Sequence, residues 1–144
     1  MSPSMYVETS ALLRTVLEGD ETLRPLVLGA GRYTSALTFA EAARAILRAT
    51  RDGRLDARGA REARKRVAEF GRACAIVTVD DVVLERAGQE LPVEPVRTLD
   101  AIHVATILAL NAAAIEIDVL STDGRVRENA AALGFAVFPT TEPP

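Results

Sequence analysis

The sequence predicts an α/β domain with a mainly parallel sheet. Three observations point there. Short β-branched or apolar runs alternate along the chain with longer segments of helical apolar periodicity. Strands that alternate with helices are joined by crossovers, and crossovers set strands parallel. The length of 144 residues, 49% hydrophobic and 26% charged, suits one domain over 1–144 with enough buried surface to fold without staples.

The elements follow in order. Met5-Tyr6-Val7 reads as a strand leading into a helix from Ser10, whose apolar face is Ala11, Leu12, Val16 and Leu17. Asp20–Leu28 reads as a short helix interrupted by Pro25 and ended at Gly29-Ala30-Gly31. Arg32–Leu37 suits a strand. Thr38 then has N-cap character, with Glu41 in the capping-box position, for a helix to about Thr50. Gly53 and Gly59 punctuate a further helix ending near Phe70-Gly71, and Ala75–Val79 is a β-branched run. Asp80 can cap a helix reaching about Gln89, and Pro92 and Pro95 mark a connection. Thr98 is the expected cap of the apolar helix Leu99–Leu110. Ile115–Leu120 reads as a strand, Asp123 precedes a helix to Leu133-Gly134, and Phe135–Phe138 closes the sheet. The tail 139–144 reads as a frayed end.

Composition excludes several classes. The single cysteine, Cys74, can form no internal disulfide and no Cys-rich zinc site, and reads as a small buried hydrophobe. The single histidine, His103, excludes any site that needs two. No apolar run approaches the ~18–20 residues of a membrane span. Met1–Met5 carries neither a positive nor an apolar signal region. A cytoplasmic protein with no membrane association is expected. Net charge is −3, yet residues 44–72 hold ten basic residues against four acidic ones. Arg54, Arg58, Arg61 and Lys65 fall at the spacing of one helix face, and Arg44, Arg48 and Arg51 do so on the preceding helix. Such a segment either captures a polyanion or is a solvated face.

Four carboxylates recur at element ends. Glu8 and Asp123 lie just past strands, at the carboxyl edge where open α/β sheets bind ligands. Glu41 and Asp100 lie in first helical turns. Each has a structural explanation alone: the helix dipole favours acids there by about 0.3–1 kcal/mol, Asp123 can be an N-cap, and Glu8 can simply end a strand. Gathered together, they could not all ionise without a cation, so at least two should have raised pKa values in its absence. A hard cation such as Mg²⁺ or Mn²⁺ takes oxygen ligands and activates water toward a phosphodiester. His103, one turn after Asp100, reads as a packing residue near the carboxylates but outside them. Thr9 should point away from Ser10 if the strand continues. Asp80 and Asp81 read as capping residues, and Asp118 lies mid-strand.

The segments Tyr6-Val7-Glu8-Thr9-Ser10-Ala11-Leu12, Thr38-Phe39-Ala40-Glu41, Leu99-Asp100-Ala101-Ile102-His103-Val104-Ala105-Thr106 and Ser121-Thr122-Asp123-Gly124-Arg125-Val126, with the closing Ala130–Val137 stretch, resemble the PIN-domain ribonucleases, in particular the VapC-type toxins of bacterial toxin–antitoxin systems. The resemblance implies a three-layer α/β/α fold with a parallel sheet of about five strands. It implies an acidic pocket for one or two Mg²⁺ or Mn²⁺ ions and an endoribonuclease that cleaves RNA with metal-activated water. It also implies a homodimer and a cognate, VapB-like antitoxin that blocks the site. Glu41, Asp100 and Asp123 match the second, third and fourth acidic positions of the family. Ser10 matches its small hydroxyl residue, and Ser121 the hydroxyl that supports the last carboxylate. Glu8 stands where the family usually has Asp. One extra methylene displaces the carboxylate, and a displacement of about 1 Å can cost ~100-fold in rate. The alternative is therefore a catalytically weakened RNA- or protein-binding module. Beside such a pocket Arg44, Arg48, Arg54, Arg58 and Arg61 would hold RNA phosphates. With two Tyr, four Phe and no Trp, backbone contact suits the chain better than base stacking.

Overall fold

A computed structural model describes residues 4–141. Of the expected frayed tail, residues 142–144 lie outside the described residues, as do residues 1–3 of the N-terminal stretch read for a signal. The strands are β1 (Ser4–Val7), β2 (Arg32–Ser35), β3 (Ala75–Val77), β4 (Ile117–Leu120) and β5 (Val137–Phe138). The helices are α1 (Thr9–Leu17), α2 (Arg24–Val27), α3 (Leu37–Arg51), α4 (Ala57–Ala73), α5 (Asp81–Ala87), α6 (Thr98–Ala112) and α7 (Gly124–Ala132). The strands form one sheet in the order β3-β2-β1-β4-β5, and every pairing among the described residues is parallel. The expected α/β class is thus found.

The period-two alternation of the central strands sorts the helices into two layers. Met5 and Val7 of β1 and Leu120 of β4 pack with α1, α2, α3 and α4 residues such as Leu12, Val27, Ile46 and Phe70. Tyr6 of β1 and Ile117 and Val119 of β4 face the other way, onto Ile107 and Leu110 of α6 and Ala130 of α7. Val83 of α5 packs on Ile102 and Ala105 of α6. The chain builds β2 and β3 on one side of β1, then crosses over to place β4 on the other. The strand order therefore reverses between β1 and β4, and the crevice beyond their carboxyl ends is the natural binding position of such a sheet.

Several boundaries differ from the expectation for local reasons. Pro25 is the second residue of α2 and starts that helix rather than interrupting it, because the first turn needs no backbone N–H there. Asp20 instead closes a side-chain turn onto Thr22. Helix α3 begins at Leu37, so Thr38 lies inside it and forms no capping box with Glu41; Ser35 Oγ accepts the Leu37 N–H instead, at 3.1 Å. Helix α6 begins at Thr98, so Arg97 occupies the cap position. Gly59 sits within the first turn of α4, where Asp56 accepts its N–H at 2.7 Å. Arg54 precedes α4 and pairs with Asp52 at 3.5 Å, so it is not on the helix face of Arg58 and Arg61. Cys74 is half-buried rather than buried. Asp80 does cap α5, accepting the Val83 N–H at 2.9 Å.

Candidate active site

The β1–β4 register positions the first group. Val7 lies opposite Leu120, so Glu8 and Ser121 leave the sheet side by side, and the Glu8 N–H bonds to the Leu120 carbonyl at 2.9 Å. The Glu8 side chain curls back to cap α1 and is only 3% exposed. Its Oε1 accepts from the Ser10 hydroxyl at 2.5 Å and the Ser121 hydroxyl at 2.6 Å, while Oε2 accepts the Ser10 N–H at 2.9 Å. The same hydroxyls hold the facing turn. Ser10 Oγ accepts the Thr122 N–H at 2.9 Å, and Ser121 Oγ accepts the Asp123 N–H at 3.1 Å. Asp123 in turn caps α7 by accepting the Val126 N–H at 2.9 Å. Ser10 and Ser121 thus tie Glu8 to the backbone that carries Asp123.

The second group is centred on Glu41, in the second turn of α3. Its Oε1 accepts from the Thr9 hydroxyl at 2.7 Å and lies 2.5 Å from His103 Nε2. His103 is fully buried, and its Nδ1 lies 2.6 Å from the hydroxyl of the equally buried Tyr6. With Tyr6 donating to Nδ1, the imidazole proton falls on Nε2 and points at Glu41. Thr34, Thr38 and Thr9 continue this buried polar network through hydroxyl contacts of 2.9 and 3.2 Å. His103 therefore lies among the carboxylates, contrary to the expectation. Residues 101–107 of α6 are all buried, so even its polar side chain faces the interior. Thr9 also differs: the chain has already turned into α1, so strand alternation does not apply. Thr9 serves Glu41 and Ser10 serves Glu8.

Asp100 and Asp123 face a third feature, an open cleft of about 580 Å³ lined also by Pro95, Val96, Arg97 and Arg125. Burial, then the charges of Asp123 and Glu8, push the Asp100 carboxyl up to about 6. Burial acts against the charge on Glu41 too, but the hydrogen bond and charge of His103, with the Thr9 hydroxyl, prevail and hold it below the usual range. His103 is raised: burial works against its protonation, and the bond to Glu41 and the surrounding carboxylates outweigh that. Asp100 is thus raised as expected, whereas Glu41 is lowered because an internal imidazole partners it.

The donor set defines what could bind. Among the described residues no three His, Cys, Asp or Glu side chains come together closely enough to hold one ion. Glu8 and Glu41 are engaged by protein donors. Asp100 and Asp123 line the cleft together, and Mg²⁺ commonly takes one or two carboxylates with water and phosphate oxygens completing its shell. The chemistry of these two oxygen donors fits such an ion. Arg44, Arg48, Arg51, Arg54, Arg58 and Arg61 are all exposed. Arg48 and Arg54 line a separate groove with Leu13, Leu17 and Leu55. The arginines that share the acidic cleft are Arg97 and Arg125, which stand outside the dense basic run. Asp118 lines a further cavity with Glu116 and Asn111.

The fold is shared with known proteins. The PIN domain family matches residues 5–132, from β1 through α7. A toxin–antitoxin complex from Klebsiella pneumoniae has a similar fold, with a TM-score of 0.63 and 15% identity over 97% of this chain and 100% of that one. The VapBC2 complex of Rickettsia felis, solved on a DNA fragment from its promoter, aligns with a TM-score of 0.62 and 10% identity over 92% of this chain and 96% of that one. Mycobacterium tuberculosis VapC20, a toxin that cleaves the sarcin–ricin loop, aligns with a TM-score of 0.62 and 19% identity over 92% of this chain and 97% of that one. No curated protein sequence matches. At such identities the structural likeness is one of fold, whereas the family match takes in Glu8, Glu41, Asp100 and Asp123: the chain belongs to the PIN domain family.

Proposed function

We propose that this protein is a Mg²⁺- or Mn²⁺-dependent endoribonuclease and the toxin of a toxin–antitoxin pair. One observation carries the reading: Asp100 and Asp123 line one cleft at the sheet's carboxyl edge, and Asp123, Glu8 and Glu41 all act on the charge of Asp100. Asp100 and Asp123 would hold the ion. When bound, it supplies Lewis-acid activation of water and stabilises the leaving oxygen of a phosphodiester. Ser10 and Ser121 hold Glu8 and the turn bearing Asp123 in one rigid unit. Thr9 and His103 hold one oxygen of Glu41 and fix its carboxylate behind the cleft. In this reading Glu8 and Glu41 add negative charge behind the two ligands rather than binding metal directly in the arrangement seen. The arginines of α3, α4 and their connection would contact RNA phosphates outside the cleft.

The similar structures that are toxin–antitoxin complexes support a VapB-like antitoxin as partner. A homodimer working in the cytoplasm belongs to the same reading. Among the described residues no helix is long and apolar enough to cross a membrane.

The second reading is a PIN-fold RNA- or protein-binding module. The engagement of both Glu8 and Glu41 by protein donors favours it. Purified protein incubated with total RNA separates the two. Cleavage in Mg²⁺ or Mn²⁺, lost in EDTA and in Asp100→Asn, supports the nuclease. RNA bound but uncut under every metal condition supports the module.

A further inference from the structure

Of the six residues lining the acidic cleft, two are arginines. Arg97 precedes α6 by one residue and Asp100 by three, and Arg125 follows Asp123 by two. Each acid therefore shares its short segment with one arginine. The two segments are locked together. Asn129 of α7 is fully buried; its Oδ1 accepts the Val93 N–H at 2.9 Å and its Nδ2 donates to the Val93 carbonyl at 2.9 Å. Glu94 accepts the N–H groups of Leu91 and Val96, both at 2.8 Å, and Leu91 is buried. The connection bearing Arg97 is thus held against the helix bearing Arg125 by interior hydrogen bonds.

Neither arginine is engaged in neutralising the acids. Among the described residues Arg97 forms no ion pair, and Arg125 pairs with Glu128 at 3.6 Å on its own helix. A phosphodiester entering this cleft meets repulsion from Asp100 and Asp123, which the cations lining the same cleft must offset. A guanidinium suits that role, since its fork of donors matches two phosphate oxygens.

We propose that Arg97 and Arg125 form a phosphate-binding jaw of the cleft, gripping an RNA phosphodiester against the Asp100–Asp123 wall. The jaw rests on the ribonuclease reading and deepens it, placing the phosphate contacts nearest the acids outside the arginine-rich run.

The test is fluorescence anisotropy with a labelled single-stranded RNA oligonucleotide in EDTA across a range of KCl, with Mn²⁺ binding followed separately by calorimetry. Arg97→Ala/Arg125→Ala should weaken RNA binding at least tenfold and lower the salt slope by about 1.4, about 0.7 for each contact to a single strand. Mn²⁺ affinity should not fall, because the substitutions remove two nearby cations and no oxygen ligand. Arg97→Lys/Arg125→Lys keeps both charges and should retain the slope while losing affinity. If the double alanine variant melts early, Arg97→Gln alone must lower the slope by about 0.7, since Arg97 is exposed. Wild-type affinity and slope in a folded variant, with wild-type protein cutting RNA normally, overturn the jaw alone. A wild-type protein that neither binds nor cuts RNA overturns the ribonuclease reading and the jaw with it.

Discussion

Replacing Asp100 by Asn should stabilise the metal-free protein. Asp100 lies in the first turn of α6, where the helix dipole favours a negative charge. Its carboxyl nevertheless sits at about 6 instead of the ordinary 3.8, because burial and the neighbouring carboxylates oppose ionisation more strongly. At 1.36 kcal/mol per pH unit this displacement sets an upper bound of about 3 kcal/mol. The carboxylate opens onto a cleft, so solvent screening brings the expected gain to about 1 kcal/mol. For a domain of this size that is a rise in Tm of about 4 °C. The sign follows from linkage. A carboxyl whose folded pKa is raised contributes stability below 3.8 that is lost as pH rises through about 6. Wild-type protein in EDTA should therefore lose stability across that window, while Asp100→Asn should not. Thermal melts followed by circular dichroism in EDTA, at pH values spanning about 4 to 8, measure this directly. Mn²⁺ should then raise the Tm of the wild type and leave that of the variant nearly unchanged. A lower Tm for Asp100→Asn at neutral pH in EDTA, or a gain independent of pH, would refute the crowding of charge at this cleft.

Glu8→Gln should cost about 1–3 kcal/mol, because three donors converge on the carboxylate and an amide NH₂ must face one of them. Urea denaturation reads this as a lower midpoint, and an unchanged midpoint would mean the Ser10–Glu8–Ser121 knot contributes nothing to folding. Tyr6→Phe leaves buried His103 Nδ1 without its 2.6 Å partner and should cost about 1–3 kcal/mol in the same assay. An equal midpoint there would show that the network needs only its Glu41 end. Arg54→Ala/Arg58→Ala/Arg61→Ala should flatten the salt dependence of RNA binding by up to about 2 while sparing Mn²⁺ binding. A salt slope equal to that of the wild type would mean that these arginines meet only solvent.

Much of the fold was legible because it rests on local chemistry. The alternation of short apolar runs with helical periodicity yielded the parallel sheet, and Asp80 and Asp123 cap the helices their positions suggested. The carboxyl-edge placement of Glu8 and Asp123 follows from strand direction, which the alternation already implies. Local rules failed where a backbone decision made elsewhere moved the frame. Strand β2 ends at Ser35, so α3 starts early and Thr38 becomes a buried member of a network rather than a cap. The turn at Glu8 converts Thr9 and Ser10 from strand to helix geometry, which sends their hydroxyls to different acids. The joining of His103 to Glu41 depends on how α6 and α3 rotate against each other, a relation between residues 62 apart. The pairing of Glu8 with Ser121 depends on the β1–β4 register, and the sharing of one cleft by Arg97 and Arg125 depends on Asn129 gripping Val93 across 36 residues. Which residue types stand at the sheet edge is a matter of period and strand direction, and both are read along the chain. Which of them touch is settled by packing, because hydrogen bonds reach about 3 Å and helix rotation moves side chains by more than that.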